Sequence, residues 1–456
     1  SARRLARVVS QEREVPRARK EEAARPPTVP PPPVAGEGQL RAARKRLPVF
    51  AQRGPFLEAV QTHSAVVVEG ATGCGKSTQL PQYVLEAAAE ARQPCSIVVS
   101  QPRRISAIGV AERVAEERGE RCGGTVGYAI RLDTRASAAT ALLFCTLGVL
   151  LRRLERDPGL SGVTHVFADE VHERSVEGDL LLLALLALQQ RRPELKVVLM
   201  SATLDGCLLS QYFGGDTVPC LRIPGRLFPV KTIFLEDALE LTKHAVDPYA
   251  DWAARGRRRY TGRTELSGAD ASCSARDVMG KEEDMSPQAL LERYGRYSPG
   301  VRSALAALDH DAVDFDLAAQ VVGHFLVESA PRGPDGSALA GILVFLSGAK
   351  EIQAMRAALL AVKPELAREP AASWILTLHS TLSPEEQRQA FRRPPPGVRK
   401  IVLATNIAET SITIDDVGVV VDTAHVKELR YDSVRRMASL EDVFVSRASA
   451  QQRRGR

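Results

Sequence analysis

Residues Gly70 to Ser77 read Gly-Ala-Thr-Gly-Cys-Gly-Lys-Ser, and the apolar run Ala65–Glu69 (AVVVE) stands directly before them. They fit the pattern G-x-x-x-x-G-K-[ST] of a phosphate-binding loop, and the amphipathic stretch Ser77–Arg92 predicts the helix that such a loop requires. Glycines let backbone N–H groups turn inward around phosphate oxygens, and the helix start adds positive charge. The candidate nucleotide ligands here are Gly73, Gly75, Lys76, Ser77 and Thr78.

Further along the chain, the apolar run Val163–Asp169 (VTHVFAD) delivers two adjacent carboxylates, Asp169 and Glu170. Parallel α/β sheets place ligands at the carboxyl ends of their strands. A bare Asp-Glu pair is more often a solvated strand end, but its position after a phosphate loop favours a catalytic interpretation. Ser77, Asp169 and Glu170 are therefore the candidate Mg²⁺ ligands, and Glu170 also orients and deprotonates the attacking water. The two motifs predict a nucleoside triphosphatase.

Short β-branched runs separated by helix-like stretches continue on both sides of these motifs. The first set also contains Ser96–Ser100, Thr140–Thr146 and Lys196–Ser201, and a second set contains Gly341–Ser347, Trp374–Ser380, Lys400–Asn406 and Val417–Asp422. Near-continuous apolar strands that alternate with helices indicate a parallel sheet covered by helices on both faces. The sequence therefore predicts an α/β fold with two successive units.

Composition changes mark the boundaries of these units. Residues 1–46 hold 12 Lys and Arg against 5 Asp and Glu, whereas the whole chain has a net charge of +6, so the basicity belongs to this segment. Its prolines and lack of apolar periodicity predict a disordered basic tail. We expect the first α/β unit over 47–235, a largely irregular insertion over 236–311 and the second unit over 312–456.

The overall composition excludes several classes of protein. With 44% hydrophobic and 25% charged residues the chain has an ordinary soluble balance, which excludes a collagen, a coiled coil and a wholly disordered chain. The apolar stretch Leu180 to Leu188 is well short of the roughly 18–20 residues that span a bilayer. We therefore expect a cytoplasmic or nuclear protein, with the cytoplasm favoured, and no membrane partner. The seven scattered cysteines predict reduced thiols.

An ordered series of further motifs surrounds the phosphate loop and the Asp-Glu pair. They are Gln101-Pro-Arg-Arg104, Gly127-Tyr-Ala-Ile-Arg131, Thr146-Leu-Gly-Val-Leu, Asp169-Glu-Val-His-Glu-Arg174, Ser201-Ala-Thr203, Phe345-Leu-Ser-Gly348, Ala404-Thr-Asn-Ile-Ala-Glu-Thr-Ser-Ile-Thr-Ile-Asp415 and Gln452-Arg-Arg-Gly-Arg456. In this order the chain closely resembles the DEAH-box (DExH) RNA helicases of superfamily 2, with Val171 where the family name has alanine. The resemblance implies two tandem RecA-like domains.

The resemblance also assigns roles around the nucleotide. Gln452 and Arg456 match the γ-phosphate contacts and join Lys76, Asp169 and Glu170 as catalytic residues. Asp415 matches the contact to the ribose and the attacking water, and the family stacks the nucleobase on an arginine and a phenylalanine, matched here by Arg113 and Phe391. His172, Ser201 and Thr203 match the residues that couple hydrolysis to movement of the two lobes. Taken singly, Arg113 is more often a solvated helix position and Phe391 a core residue.

RNA contacts form a second group of residues that the resemblance implies. They are Arg103, Arg131 and Thr146 in the first unit and Ser347, His379, Thr405, Asn406 and Thr410 in the second. Small polar side chains suit phosphate and sugar contacts along a single strand, which position the chain without reading sequence. Without the resemblance each serine or threonine is more often a strand-end hydrogen bonder or cap.

These assignments imply an NTP-dependent RNA helicase that moves along single-stranded RNA by using ATP or another NTP with Mg²⁺. We expect single-stranded or structured RNA as partner and a monomer, and leave an activating protein partner open. Two alternatives remain: a DNA helicase, and an RNA-binding scaffold with a weak motor. Ala424 stands where the family usually has glycine in a turn. Because the chain stops at Arg456, inside the family's last motif, we expect a truncated motor core with weak activity.

Overall fold

The computed structural model describes residues 26–33, 38–71, 73–202, 206–225, 229–247, 249–250, 252–253, 286–327, 340–409, 414, 416–433 and 436–456. The chain divides into two compact units, 1–228 with 410–412 and 229–409 with 413–456. Among the described residues, no helix is long and apolar enough to cross a membrane.

The described residues of the first unit contain an eight-stranded sheet in the order β4-β3-β5-β2-β6-β7-β1-β8. Its strands are β1 Ala65–Gly70, β2 Ile97–Gln101, β3 Val126–Ile130, β4 Asp133–Arg135, β5 Leu142–Thr146, β6 His165–Ala168, β7 Lys196–Ser201 and β8 Cys220–Ile223. Every neighbouring pair is parallel except β3 and β4, so the predicted mostly parallel sheet is confirmed.

Helices cover both faces of this sheet, as predicted. They are α1 Gly38–Lys45, α2 Arg53–Thr62, α3 Lys76–Glu90, α4 Arg104–Glu117, α5 Leu147–Arg156, α6 Val176–Arg191 and α7 Gly206–Phe213. Because side chains alternate along a strand, β1 sends Val66 and Val68 into one apolar cluster and Ala65 and Val67 into another. A strand buried on both faces reads as a continuous apolar run, which explains why β1 was visible in the sequence.

The second unit contains a smaller parallel sheet and an antiparallel hairpin. Its strands are β9 Gly341–Phe345, β10 Ile375–Leu378, β11 Ile401–Ala404, β12 Val417–Asp422, β13 His425–Asp432 and β14 Met437–Phe444. In the described residues the sheet has the order β10-β11-β9-β12, and β13 pairs with β14. Four further helices follow the insertion segment, namely α11 Phe315–Val327, α12 Ala349–Val362, α13 Pro384–Gln389 and α14 Arg447–Arg454.

The segment 236–311 differs from the expectation of a largely irregular insertion. Residues 254–285 lie outside the described residues, but the flanks form α8 Leu235–Thr242, α9 Pro287–Tyr294 and α10 Pro299–Ala307. Proline follows the N-cap serine of both α9 and α10, which is a favourable way to start a helix. The helices hold together because Leu239, Val301, Leu305 and Leu308 form an apolar cluster with Leu317 of α11.

Part of the segment expected to be a disordered tail is also ordered. Residues 1–25 and 34–37 lie outside the described residues, but Thr28 forms an antiparallel bridge with Cys95 at the start of β2. The buried Arg118 donates a 2.9 Å hydrogen bond to the carbonyl of Pro31. Helix α1 follows, and α2 then leads into β1 of the sheet. Specific polar contacts fix these residues, and composition alone does not reveal such contacts.

Candidate nucleotide and nucleic-acid site

The phosphate loop connects β1 to α3 and owes its shape to two glycines. Gly73 and Gly75 have φ angles of +77° and +95°, which glycine adopts without strain. A Cβ on Gly75 would lie 3.0 Å from side-chain carbons of both Leu47 and Val49, so this position also lacks space for a side chain. The backbone N–H of Val49 donates a 3.1 Å hydrogen bond to the carbonyl of Cys74, which fixes the loop from behind.

Three predicted catalytic side chains and the predicted ligand Ser77 come together at the carboxyl end of this sheet. Lys76, Asp169 and Glu170 are all at most 4% exposed. The Ser77 side chain hydrogen-bonds to Asp169, and the charge of Lys76 lies close enough to stabilise the ionised carboxylate. Burial and the neighbouring Glu170 nevertheless raise the pKa of Asp169 to about 6. The structure therefore joins the two motifs into one polar site on the first unit.

Glu170 has a strained backbone that directs the chain out of the sheet. Its φ of +53° lies in the left-handed region, which is uncommon for residues other than glycine and is often found at functional sites. His172, two residues later, accepts a 3.2 Å hydrogen bond at Nδ1 from the backbone N–H of Ala202. The same Nδ1 lies 3.5 Å from Oε2 of Glu170. His172 is thus hydrogen-bonded to the segment after the buried Ser201 and lies beside Glu170, and its coupling role stays a prediction.

The strand order places the predicted RNA contacts of the first unit beside this polar site. Arg131 follows β3, Thr146 ends β5, and Arg103 follows β2, and these three strands are neighbours in the sheet. The strands β6, β7 and β1, which lead to the catalytic residues, are the adjoining three. Because parallel strands all end at the same edge, the edge is divided into two adjacent halves, one for each predicted function.

Arg113 lies on α4 and meets the requirements for a nucleobase contact. Its Nε donates a 2.8 Å hydrogen bond to Oε1 of Glu117, while its own side chain remains 44% exposed. A guanidinium that is held by one edge and exposed on its faces can stack on a planar base. Phe391, in the second unit directly after α13, is 37% exposed and is therefore not a core residue. The base-contact roles of both residues stay predictions.

In the second unit the predicted RNA contacts again follow neighbouring strands. Ser347 comes after β9, His379 after β10, and Thr405 and Asn406 after β11. The hydroxyl of Ser347 donates a 2.7 Å hydrogen bond to Oδ2 of Asp442 on β14. The Nδ1 atom of His379 lies 2.8 Å from the hydroxyl of Thr381. These side chains share one edge of the smaller sheet, and the structure assigns Ser347 a carboxylate partner of its own.

The last helix carries Gln452, and Arg456 follows it. The guanidinium of Arg456 donates to the backbone carbonyl of Glu409. Arg453 lies between these two residues in the sequence and is completely buried. It donates hydrogen bonds of 3.0 Å to Glu409 and 2.7 Å to Asp422. Its guanidinium also lies 4.8 Å from the ring centroid of Phe345 on β9. Arg453 therefore attaches α14 to the second sheet.

Comparisons with known proteins agree with this geometry. Residues 52–208 match the DEAD/DEAH box helicase family, and residues 340–456 match the helicase conserved C-terminal domain. DHX57 of Mus musculus is 43% identical over 433 residues, 91% of this chain. The chain belongs to the DExH-box RNA helicases of superfamily 2. The parallel sheets and the two matched segments agree with two tandem RecA-like domains in this helicase chain.

Two further relatives align with nearly the same share of this DExH helicase chain as DHX57 does. The DExH-box ATP-dependent RNA helicase DExH3 of Arabidopsis thaliana is 42% identical over 434 residues, 92% of this chain. The ATP-dependent DNA/RNA helicase DHX36 of Bos taurus is 37% identical over 426 residues, also 92% of this chain. The chain spans only 31% of DHX57, 34% of DExH3 and 40% of DHX36.

Some residues of the DExH pattern could not be placed, and others were missed in the sequence. Thr203, Thr410 and Asp415 lie outside the described residues, so their assigned roles stay predictions. Gln101 was quoted within a motif without a role, although it contacts Asp169. The buried role of Arg453 was also missed, because the sequence does not show which arginine of its motif points inward. Glu117 and Asp442 were also missed, because an acidic residue on a helix or strand is usually solvated.

Proposed function

We propose that the chain hydrolyses ATP or another nucleoside triphosphate and uses the energy to move along single-stranded RNA and remodel RNA structure. The observation that carries this proposal is the joining of Lys76, Ser77, Asp169 and Glu170 into one buried polar site at the sheet edge. The names of its relatives support an ATP-dependent RNA helicase. The RNA-facing candidates occupy the adjoining half of the same edge.

The donor set fits a magnesium-nucleotide complex. Mg²⁺ prefers hard oxygen ligands and is usually held by one or two carboxylates together with substrate phosphates. Ser77 and Asp169 supply such oxygens and are already in hydrogen-bonding contact. When bound with the triphosphate, Mg²⁺ would supply positive charge that offsets the negative charge developing on the phosphate during hydrolysis.

The protein groups divide the remaining chemistry among themselves. Lys76 at the start of α3 contacts the β- and γ-phosphates, and the backbone N–H groups of the loop bind phosphate oxygens. Glu170 orients the attacking water and accepts its proton. Gln101 keeps Asp169 directed at the site through its 2.7 Å hydrogen bond. The γ-phosphate roles of Gln452 and Arg456 stay predictions.

RNA binding follows from side chains that suit a phosphodiester backbone. Arg131 is exposed and Arg103 pairs with Glu173 at 3.4 Å, so Arg103 is held in place. Thr146 adds a hydroxyl at the end of β5. Contacts of this kind position a strand without reading its bases. We therefore propose binding with little sequence preference and a marked dependence on salt.

The test is RNA-stimulated phosphate release by the purified protein. The Glu170→Gln variant is expected to retain nucleotide and RNA binding but to lose turnover by at least about 100-fold, because it removes the base and keeps the size of the side chain. The matched control is Glu177→Gln, an exposed carboxylate on α6, which should behave as wild type. Unchanged turnover in Glu170→Gln would refute this assignment.

A DNA helicase is the second candidate, and the printed name of the relative DHX36 includes DNA. The backbone contacts proposed above do not by themselves distinguish ribose from deoxyribose. Phosphate release measured with RNA and DNA strands of one sequence separates the two functions. We expect RNA to stimulate more strongly, and equal stimulation would show that the chain acts on both.

A further inference from the structure

A buried carboxylate lies behind the candidate base-contacting arginine. The side chain of Glu117, the last residue of α4, is only 3% exposed. Its Oε1 accepts a 2.8 Å hydrogen bond from Nε of Arg113. Its Oε2 accepts hydrogen bonds of 2.7 and 2.8 Å from the side-chain amides of Gln79 and Gln82. Three donors from two helices therefore converge on one carboxylate.

The two glutamines extend this arrangement to the phosphate loop. Both lie on α3 and are completely buried. The amide of Gln79 also donates a 3.1 Å hydrogen bond to the hydroxyl of Thr78, which in turn donates to the carbonyl of Gly75 at 3.3 Å. The amide of Gln82 also donates to the carbonyl of Thr78 at 2.9 Å. Glu117 is thus connected by hydrogen bonds to the loop residues themselves.

Arg44 completes the surroundings of Glu117. This residue of α1 donates 2.7 Å hydrogen bonds from Nε to Gln79 and from Nη2 to Glu86. Its Nε lies 3.7 Å from Oε2 of Glu117. A buried carboxylate is costly unless charged and polar groups surround it. Two guanidinium groups and two amides meet that requirement, so the Glu117 carboxylate has a fixed position.

We propose that Glu117 is a positioning residue that holds Arg113 for the nucleobase and sets its distance from the phosphate loop. This inference rests on the proposed function, in which Arg113 contacts the base. An arginine on an exposed helix surface samples many rotamers, and ordering it on binding weakens affinity. Glu117 orders the Arg113 guanidinium before the nucleotide arrives. Through Gln79 and Gln82, Glu117 also connects Arg113, which contacts the base, to the phosphate loop, which contacts the triphosphate.

The test compares two ligands that share phosphates but differ in the base. Dissociation constants of ATP and of inorganic tripolyphosphate, each with Mg²⁺, are measured by calorimetry for Glu117→Gln, Arg113→Ala and the double variant. We expect each single variant to bind ATP about fivefold more weakly, which is within the range of a cation–π contact, and tripolyphosphate within about twofold of wild type. The double variant should bind ATP no more weakly than Arg113→Ala.

Two controls separate positioning from a merely structural role. Glu116→Gln removes an exposed carboxylate that lies 3.6 Å from Nη1 of Arg113, and ATP binding should stay within about twofold of wild type. Glu117→Asp keeps the buried charge and the fold but withdraws the carboxylate by one methylene, and should show the same selective loss for ATP. Equal losses for both ligands, or additive losses in the double variant, would overturn the proposal. ATP binding and turnover by wild type and Lys76→Ala test the proposed function separately.

Discussion

Gln101 and Asp169 form a buried pair at the ends of neighbouring strands. The side-chain amide of Gln101 donates a 2.7 Å hydrogen bond to Oδ2 of Asp169, and both side chains are at most 3% exposed. This hydrogen bond favours the ionised carboxylate and opposes burial and Glu170, which still leave the pKa of Asp169 raised to about 6. Gln101 therefore helps to keep Asp169 in the ionised form that can hold a cation.

Removing this donor should change the pH profile of hydrolysis. Gln101→Leu keeps the approximate size of the side chain but raises the pKa of Asp169, because one hydrogen bond to the charged form is lost. We expect the acidic limb of kcat/KM against pH, which reports the free enzyme, to move upward by on the order of one unit. The control is Gln189→Leu, which removes the glutamine that donates to the carbonyl of Ser64 outside the site. An acidic limb that stays in place would contradict this role.

Asp169 should also destabilise the nucleotide-free protein at neutral pH. Its pKa of about 6 lies above the ordinary value of 3.8, so the folded state favours the protonated acid. This stabilising contribution is complete below pH 4 and is lost as the pH rises through 6. Asp169→Asn should therefore raise the free energy of unfolding at pH 7 by on the order of 2–3 kcal/mol, and by less at pH 5.

Urea denaturation followed by circular dichroism measures this difference at the two pH values. The matched control is Asp179→Asn, which removes an exposed carboxylate paired with Arg174 and should change stability by less than about 0.5 kcal/mol. Magnesium-nucleotide binding should be lost in Asp169→Asn, since the amide carries no charge for the cation. A destabilised Asp169→Asn at pH 7 would contradict the assigned cause of the raised pKa.

Arg453 should be important for the stability of the second unit. Arg453→Ala leaves the carboxylates of Glu409 and Asp422 without the guanidinium that both accept from. We expect a loss of about 3–5 kcal/mol, as is typical when one partner of a buried ion pair is removed. Arg454→Ala, at the exposed neighbouring position, should cost less than about 0.5 kcal/mol. Both tryptophans, Trp252 and Trp374, lie in the second unit, so tryptophan fluorescence follows its unfolding selectively.

The turn at Ala424 should be stabilised by glycine. Ala424 has a φ of +60°, which explains why the family usually has glycine at this position. The left-handed conformation costs an L-residue roughly 1–2 kcal/mol, and glycine removes this cost. Part of the resulting stabilisation is offset by the larger entropy of glycine in the unfolded chain. Ala424→Gly should therefore stabilise the second unit by about 0.5–1 kcal/mol in the same fluorescence assay. Ala438→Gly, on the exposed strand β14, should have the opposite sign.

Most buried strands were predictable from sequence and the exposed strands were not, although the buried β3 was not predicted as a strand. Every strand predicted from a continuous apolar run is present, with ends within two residues of the prediction. Strands β13 and β14 expose most of their residues, so no apolar run marks them. The short edge strands β4 and β8 were missed for a similar reason, since both are partly or wholly exposed.

The candidate site divides in the same way. Lys76, Ser77, Asp169 and Glu170 were predictable because each belongs to a motif whose residue types and strand-end position require that chemistry. Glu117 was not, because its partners Gln79 and Gln82 lie on another helix and only the packing of α3 against α4 brings them within hydrogen-bonding distance. Long-range polar contacts of this kind leave no local pattern in the chain.

The end of strand β2 carries a residue for each half of the sheet edge. Gln101 contacts Asp169, and two residues later Arg103 pairs with Glu173 beyond β6. Neighbouring strands lie about 4.8 Å apart, and the candidate nucleotide residues and candidate RNA contacts of this unit meet at the adjacent strands β6 and β2. A change in the backbone at this strand end would therefore displace one side chain of each candidate group. Under the proposed function, the turn between β2 and α4 is therefore a short route between a nucleotide ligand and an RNA contact, and lengthening it would separate the two.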